Sequence, residues 1–301
     1  MRIVGVGHSC FDYICSIREY PKEDGSTRIT AITYQGGGAV ATALVAASRL
    51  GYASAYIGVA GFDSVTDSIV SLFASDGVST EYLERLESVN GLQSFVMVDQ
   101  RTGSRTKFPE LDQTPPIVWN QRLKAAVAAA DLIHLDGTHY ENALAAAKLA
   151  KEVQTTISLD GCTVQPEQEK NRALASLADI LIMNSRYPLI VSGKATHREA
   201  LLEIAQWGPE IVMCTLGSDG VLAVIDGEVV PFKSYTVDVV DTTGAGDVFH
   251  GAFMVGYLDR MELAENIRFA SAVAALKCTK QGGREGIPSK EAAFTLMREQ
   301  V

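Results

Sequence analysis

The chain has 301 residues, 47% of them hydrophobic and 21% charged, a balance that allows a large buried core and excludes a disordered or low-complexity chain. Its formal net charge of −10 argues against a polyanion partner, because nucleic-acid binding rests on basic surface that neutralises phosphates. Five cysteines, Cys10, Cys15, Cys162, Cys214 and Cys278, are odd in number and lack C-x-x-C spacing, so neither a disulfide framework nor a zinc knuckle is indicated and a reducing cytoplasm fits.

In chain order, the N-terminus runs straight into "RIVGVG" without a basic region and apolar stretch, and no later segment approaches the roughly 18 apolar residues that span a bilayer. No membrane partner is expected. "RIVGVG" from Arg2, "AYIGVA" from Ala55, "DLIHLDG" from Asp131, "TTISLD" from Thr155, "DILIMN" from Asp179 and "EIVMCTLG" from Glu210 read as buried strands, being short, apolar and ended by Gly, Asp or Asn. Helical spacing lies between them, at Ala39 to Leu50, Ser64 to Ser75, Asn120 to Ala130, Asn142 to Val153 and Thr196 to Trp207. Strand and helix in alternation predict an α/β fold with a mostly parallel sheet, right-handed crossovers and helices on both faces. No repeat of solenoid period interrupts the pattern.

Two segments break that rhythm. Phe11 to Gln35 and Gly91 to Phe108 alternate apolar and polar residues around turn signals at Glu23-Asp24-Gly25 and Arg101-Thr102-Gly103, as half-exposed antiparallel pairs do. Such a sheet acts either as a lid that closes over a cleft or as an edge decoration.

The stretch "VDVVDTTGAGDVFHGAF", Val237 to Phe253, carries the chemistry. Val248, Phe249, Ala252, Phe253 and Val255 recur at helical spacing, so a helix is predicted to begin at Gly244 to Gly246. Free N–H groups and the positive end of the helix dipole converge there, and Gly244-Ala245-Gly246 lets an anion approach closely. Asp247 in the first turn repels a passive phosphate, but suits a base that takes a proton from the hydroxyl attacking it. Any one of these residues alone reads as an ordinary helix cap; the ordered string is what points to phosphoryl transfer.

"DTTGAGDVFHGAF" resembles the C-terminal signature of the PfkB (ribokinase-like) carbohydrate kinases. "GGGAVATALVAASRLG" from Gly36 resembles the family's N-terminal motif, "TLGSDG" from Thr215 its nucleotide-side turn, and "RFASAVAALKCTKQGGREGIP" from Arg268 the helix and loop after the catalytic helix. The tail from Val239 to Pro288 is most similar to the fructokinase and sulfofructose kinase branch. The resemblance implies a three-layer α/β/α core from segments 1–10, 36–90 and 109–301, with a small β-sheet lid and dimerisation surface from 11–35 and 91–108. It implies ATP with Mg2+ as phosphoryl donor, a small sugar as acceptor and a homodimer through the lid. Asp247 would be the base, and Gly244, Ala245 and Gly246 the hole for the γ-phosphate. Asp241 and Thr243 would hold K+ behind that hole, with carbonyls of the loop near Gly282 to Gly286. Asn184, Thr215, Gly217 and Gly220 would border the nucleotide; Asp12, Gly36, Gly37 and Gly38 the sugar. Taken without the resemblance, the two glycine stretches read as simple turns.

Departures from the family pattern bear on substrate and metal. Ala41 replaces a sugar-contacting Asn, and Tyr187 stands where the Glu of an N-x-x-E element would follow Asn184. "DGCTV" keeps Asp160 but loses the Asn and Arg of the fructokinase D-x-N-x-R stretch, and no residues match the cationic groups that hold a sulfonate. Arg105 or Lys107 would suit another anionic sugar. A nucleoside kinase of the same family and a non-catalytic sugar or nucleotide sensor are the competing functions. A dinucleotide fingerprint at "GVGHSC" fails for want of its third glycine, and a P-loop is absent. His250 reads as a packing residue, and the histidines show no paired metal spacing.

Overall fold

The computed structural model describes residues 2–102 and 104–300; Gly103 of the second expected turn, and Met1 and Val301 at the ends of the core segments, lie outside the described residues. The elements in chain order are β1 (Arg2–Val6), β2 (Cys10–Ile17), β3 (Ile29–Gly37), α1 (Ala39–Arg49), β4 (Ala53–Ala60), α2 (Ser64–Ser75), β5 (Val78–Arg85), β6 (Gln93–Asp99) and β7 (Arg105–Pro109). There follow α3 (Gln121–Ala128), β8 (Leu132–Asp136), α4 (Tyr140–Glu152), β9 (Thr156–Gly161), α5 (Gln168–Ala175), β10 (Ile180–Asn184), α6 (Tyr187–Ser192) and α7 (His197–Ile204). The last third holds β11 (Ile211–Thr215), β12 (Val221–Ile225), β13 (Glu228–Phe232), α8 (Ala245–Leu258), α9 (Leu263–Lys277) and α10 (Lys290–Glu299).

Among the described residues the large sheet has nine strands in the order β13-β12-β11-β10-β9-β8-β1-β4-β5. From β5 to β11 every pairing is parallel, and β12 and β13 add an antiparallel edge hairpin. The predicted strands supply its centre because they are mostly apolar, as burial on both faces favours; β8 and β10 place Leu132, Ile133, Leu135 and Ile180 to Met183 out of solvent. One core packs α1, α2, α8, α9 and α10 on one face, and a second packs α3 to α7 on the other, which makes the three-layer α/β/α architecture of the ribokinase-like fold.

Helix α1 is nearly all small side chains, and this decides how α8 is seated. A Cβ at Gly251 of α8 would lie 2.4 Å from the Ala43 carbonyl and 2.6 Å from Ala46 Cβ, so the two backbones approach closely. The approach fixes α8, and with it Asp247, against the sheet.

The two alternating segments form a separate four-stranded sheet, β3-β2-β6-β7. Each is an antiparallel pair, as expected, with the first turn closed by Gly25 N–H donating to the Lys22 carbonyl at 2.8 Å. A parallel pairing of β2 with β6, Phe11 opposite Gln93 through Ile17 opposite Asp99, joins them, which alternation alone does not foretell. Phe11, Tyr13, Tyr34 and Phe95 pack together on this sheet, two pairs stacked and two edge to face, with ring centroids 4.9 to 5.8 Å apart. No helix among the described residues is long and apolar enough to cross a membrane.

Candidate active site

Helix α8 begins at Gly244, whose φ of +72° is a left-handed conformation that a side chain would strain. A Cβ there would also lie 2.8 Å from the Gly283 carbonyl, so the residue type is set twice. Ala245 N–H turns back to the Thr242 carbonyl at 3.2 Å, whereas the N–H groups of Gly244, Gly246 and Asp247 make no hydrogen bond among the described residues. Those free donors at the positive helix end form an anion cradle. A Cβ at Gly246 would meet no atom within 4 Å, so the space beside it is open.

A cavity of about 450 Å3 opens onto this cradle. Ala245 and Gly246 form one wall, the turn with Thr215, Gly217 and Gly220 another, and Tyr235, Val237, Ala274 and Cys278 the apolar floor. Its size and mostly apolar lining suit a drug-sized ligand such as a nucleoside, with the cradle at its mouth. Thr215, Gly217 and Gly220 are thus brought to the same cavity as the cradle. Asn184 is not. Its Oδ1 accepts the N–H groups of Arg186 and Tyr187, both at 3.0 Å, so the amide shapes the turn after β10. Tyr187, which stands where the N-x-x-E element would place Glu, is buried at 3% exposure.

Asp247 sits half-buried one turn into α8 and makes no side-chain hydrogen bond among the described residues. Burial first, and then the negative charge of Asp160, raise its carboxyl from 3.8 to about 7; His250, Lys107 and Arg284 pull the other way. Asp160 is paired with His250, Nε2 to Oδ1 at 3.2 Å, both buried. The His134 ring lies 5.3 Å from that of His250, and its burial drops it to about 3, a neutral imidazole. His250 therefore packs, as expected, but also pairs with Asp160, whose charge acts on the Asp247 carboxyl.

Asp12 turns over the glycine strand, where a Cβ on Gly37 would lie 2.3 Å from its Oδ2, and Cys10 Sγ donates to its Oδ1 at 3.4 Å. Gly36 is held glycine by Arg284, whose Nη1 would be 2.1 Å from a Cβ. Arg284 is 5% exposed and donates to the Gly37 carbonyl and Thr42 Oγ1, each at 3.3 Å. Gly283 N–H donates to Gln35 Oε1 at 2.7 Å, so the loop after α9 ties β3 to the cradle. Gly38, at the N-cap of α1 with φ +98°, backs this corner, and Ala41 is wholly buried and offers nothing to the cleft.

Asp241 and Thr243 lie behind the cradle. The Asp241 carboxylate accepts Thr243 N–H at 2.7 Å and Gly282 N–H at 2.9 Å. It also pairs with Arg105 Nη2 at 2.7 Å, while Arg105 Nη1 donates to Thr243 Oγ1. Burial pushes this carboxyl up, but those donors outweigh it and hold it below its ordinary value. The Asp241 carbonyl accepts Lys277 Nζ at 2.8 Å. Arg105 and Lys277 in these roles escape sequence reasoning, since an arginine on an exposed strand and a lysine in the last turn of a helix both read as solvated. Among the described residues, His8, Asp112 and His139 also come together, although their spacing in sequence suggests no group.

The model of the pfkB family carbohydrate kinases matches residues 2–290. A ribokinase of Haemophilus influenzae is 29% identical over 295 residues, covering 93% of each chain. A nucleoside kinase of Methanothermobacter thermautotrophicus is 28% identical over 298 residues, covering 95% of this chain and 92% of its own. The fold matches that of an Arabidopsis thaliana ribokinase complexed with ribose and ATP, with a TM-score of 0.87 and 24% identity over 98% of both chains.

Proposed function

The chain belongs to the pfkB family of carbohydrate kinases, and within that family we propose that it transfers the γ-phosphoryl group of ATP to the hydroxymethyl group of a ketohexose or pentose, with Asp247 as the base. The observation that carries this reading is one juxtaposition: an unpaired carboxylate, raised to about 7, beside free N–H groups at the mouth of a nucleotide-sized cavity. A base near the working pH both accepts and releases the hydroxyl proton.

ATP would lie with its base and ribose against Thr215, Gly217 and Gly220 and its phosphates toward Gly244, Ala245 and Gly246, where the free N–H groups of Gly244, Gly246 and Asp247 would stabilise charge on the transferring oxygens. Asp12 and the strand Gly36 to Gly38 would hold the sugar so that its hydroxyl faces Asp247 and the γ-phosphorus in line. Magnesium accompanies ATP in this chemistry. The Asn184 amide is spent on its own turn and Tyr187 is buried, so neither would hold the ion, which when bound with ATP would supply charge neutralisation on the phosphates, and no step here depends on a protein ligand to it.

Segments 11–35 and 91–108 would act as the lid over this cleft, and Arg105 supports that by reaching from β7 to the cradle loop. The lid sheet leaves Ile29, Ile32, Phe95 and Phe108 exposed, which favours a homodimer through it. A sugar or nucleotide sensor is disfavoured by the same carboxylate, since a binder of phosphate gains nothing from a negative charge facing it. The likeness to a nucleoside kinase keeps nucleosides as a second acceptor class.

The test is coupled ADP release with ATP and magnesium across ketoses, pentoses, sugar acids, phosphorylated sugars and nucleosides, run beside Asp247→Asn. Turnover on a sugar that disappears in the variant is expected. Turnover restricted to nucleosides would replace the acceptor class, and binding of ATP without turnover on any acceptor would overturn the kinase reading.

A further inference from the structure

Lys277 is the last residue of α9, and its side chain is wholly buried. An ammonium out of water is costly unless fully paired, and this one has a single acceptor among the described residues, the Asp241 carbonyl at 2.8 Å. Burial lowers its proton affinity, and the Asp241 charge pushes back. Good packing would be better served by an apolar side chain. What the position supplies is positive charge, directly behind the anion cradle.

Two loops close over Lys277. Val240 and Asp241 N–H both donate to the Cys278 carbonyl, at 2.8 and 3.0 Å, which presses the loop before α8 onto the end of α9. A Cβ at Gly286 would lie 2.1 Å from the Lys277 carbonyl, so the loop after α9 covers it from the other side. Arg105 adds a second cation on the Asp241 carboxylate, whose oxygens also accept Thr243 and Gly282 N–H. A free monovalent cation placed among these groups would meet two like charges and an acid already satisfied.

From this geometry we infer that the chain carries its own cation behind the cradle, Lys277 permanently and Arg105 when the lid lies closed, so that activity and stability do not depend on potassium. On this inference the oxygens of Asp241 and Thr243, expected to hold K+, are used by side-chain cations instead. Two positive charges there support the loop whose N–H groups meet the incoming phosphoryl group. Because one cation is borne by β7, opening the lid withdraws it, and charge behind the cradle is complete only with the cleft covered.

The stability arm needs no substrate; the activity arm rests on the kinase reading above. The melting temperature of the ligand-free protein is measured in potassium, sodium and choline chloride at equal ionic strength, and the initial rate in the same salts. Equal melting temperatures and rates agreeing within about 1.5-fold are expected, since an ion that bound the folded state would raise stability by mass action. A rise in melting temperature or a several-fold rise in rate confined to potassium would overturn the inference. In Lys277→Ala, or Lys277→Met if the first does not fold, the rate in choline falls about tenfold or more and is partly restored by potassium or ammonium. A rate in choline equal to the parent's, or a loss that neither ion repairs, would overturn the assignment of Lys277 as that cation. If no acceptor is turned over, the melting comparison alone still decides whether a free cation binds.

Discussion

Replacing Asp247 by asparagine sets catalysis against stability in one experiment. Burial and the Asp160 charge raise this carboxyl from 3.8 to about 7 in the folded protein. A carboxyl whose proton affinity rises on folding costs nothing below its unfolded value, and costs progressively more as pH climbs through the folded one, because the unfolded chain ionises freely and the folded one cannot. The separation of about three pH units corresponds to about 4 kcal/mol at full expression. Since Asp247 is partly open to the cleft, about 2 kcal/mol is the working figure. Asn is neutral at every pH and escapes the cost. Relative to the parent, Asp247→Asn gains about 2 kcal/mol between about pH 4.5 and pH 8, while kcat falls by about 10² to 10⁴ with a smaller change in KM. Urea unfolding of both proteins at several pH values, with the slope checked for constancy, measures the first effect, and initial rates on the best acceptor the second. A stability difference that stays flat with pH would refute the buried-carboxylate argument, and an unchanged kcat would refute the base.

The same carboxylate makes kcat/KM of the parent rise with pH to a midpoint of about 7, and Asp160→Asn, by removing the negative charge that raises it, moves that midpoint down; a midpoint indifferent to Asp160 would place the cause elsewhere. Two glycines of the cradle separate folding from function: Gly244→Ala loses about 1 to 3 kcal/mol from its φ of +72° and the contact with the Gly283 carbonyl. Gly246→Ala keeps the parent's melting temperature, having no atom within 4 Å to meet, but loses turnover because its Cβ takes up open space at the anion cradle. Gly251→Ala forces α8 away from Ala43 and Ala46, costing about 1 to 3 kcal/mol and, since Asp247 rides on that helix, lowering kcat as well; calorimetry and rates on the purified variant check both.

Local pattern was enough wherever one segment answers to its own neighbours. The six predicted strands are mostly apolar because both their faces are buried, and α1, α2, α3, α4 and α7 follow from helical spacing, three of them capped by the side chains of Asp63, Asn120 and Thr196. The free N–H groups at the start of α8 were legible too, since Gly244 to Asp247 is contiguous and a helix N-terminus needs no distant partner to present them. Strand β5 and the hairpin of β12 and β13 were not, being short or half-exposed with weak alternation. Nor was the parallel pairing of β2 with β6, which joins segments some eighty residues apart.

The charges around the cradle belong wholly to the tertiary structure. Lysine at the end of a helix is ordinarily solvated, and Lys277 becomes a buried cation because the loops before α8 and after α9 close over it. Arg105 reads as an exposed strand residue until the small sheet lays it on Asp241. His250 and Asp160, ninety positions apart, form a pair because β9 ends beneath α8. Sequence alone determines backbone preference and the chemistry of contiguous residues, for these depend on neighbours along the chain; which charges are buried, and against what, depends on where distant elements pack.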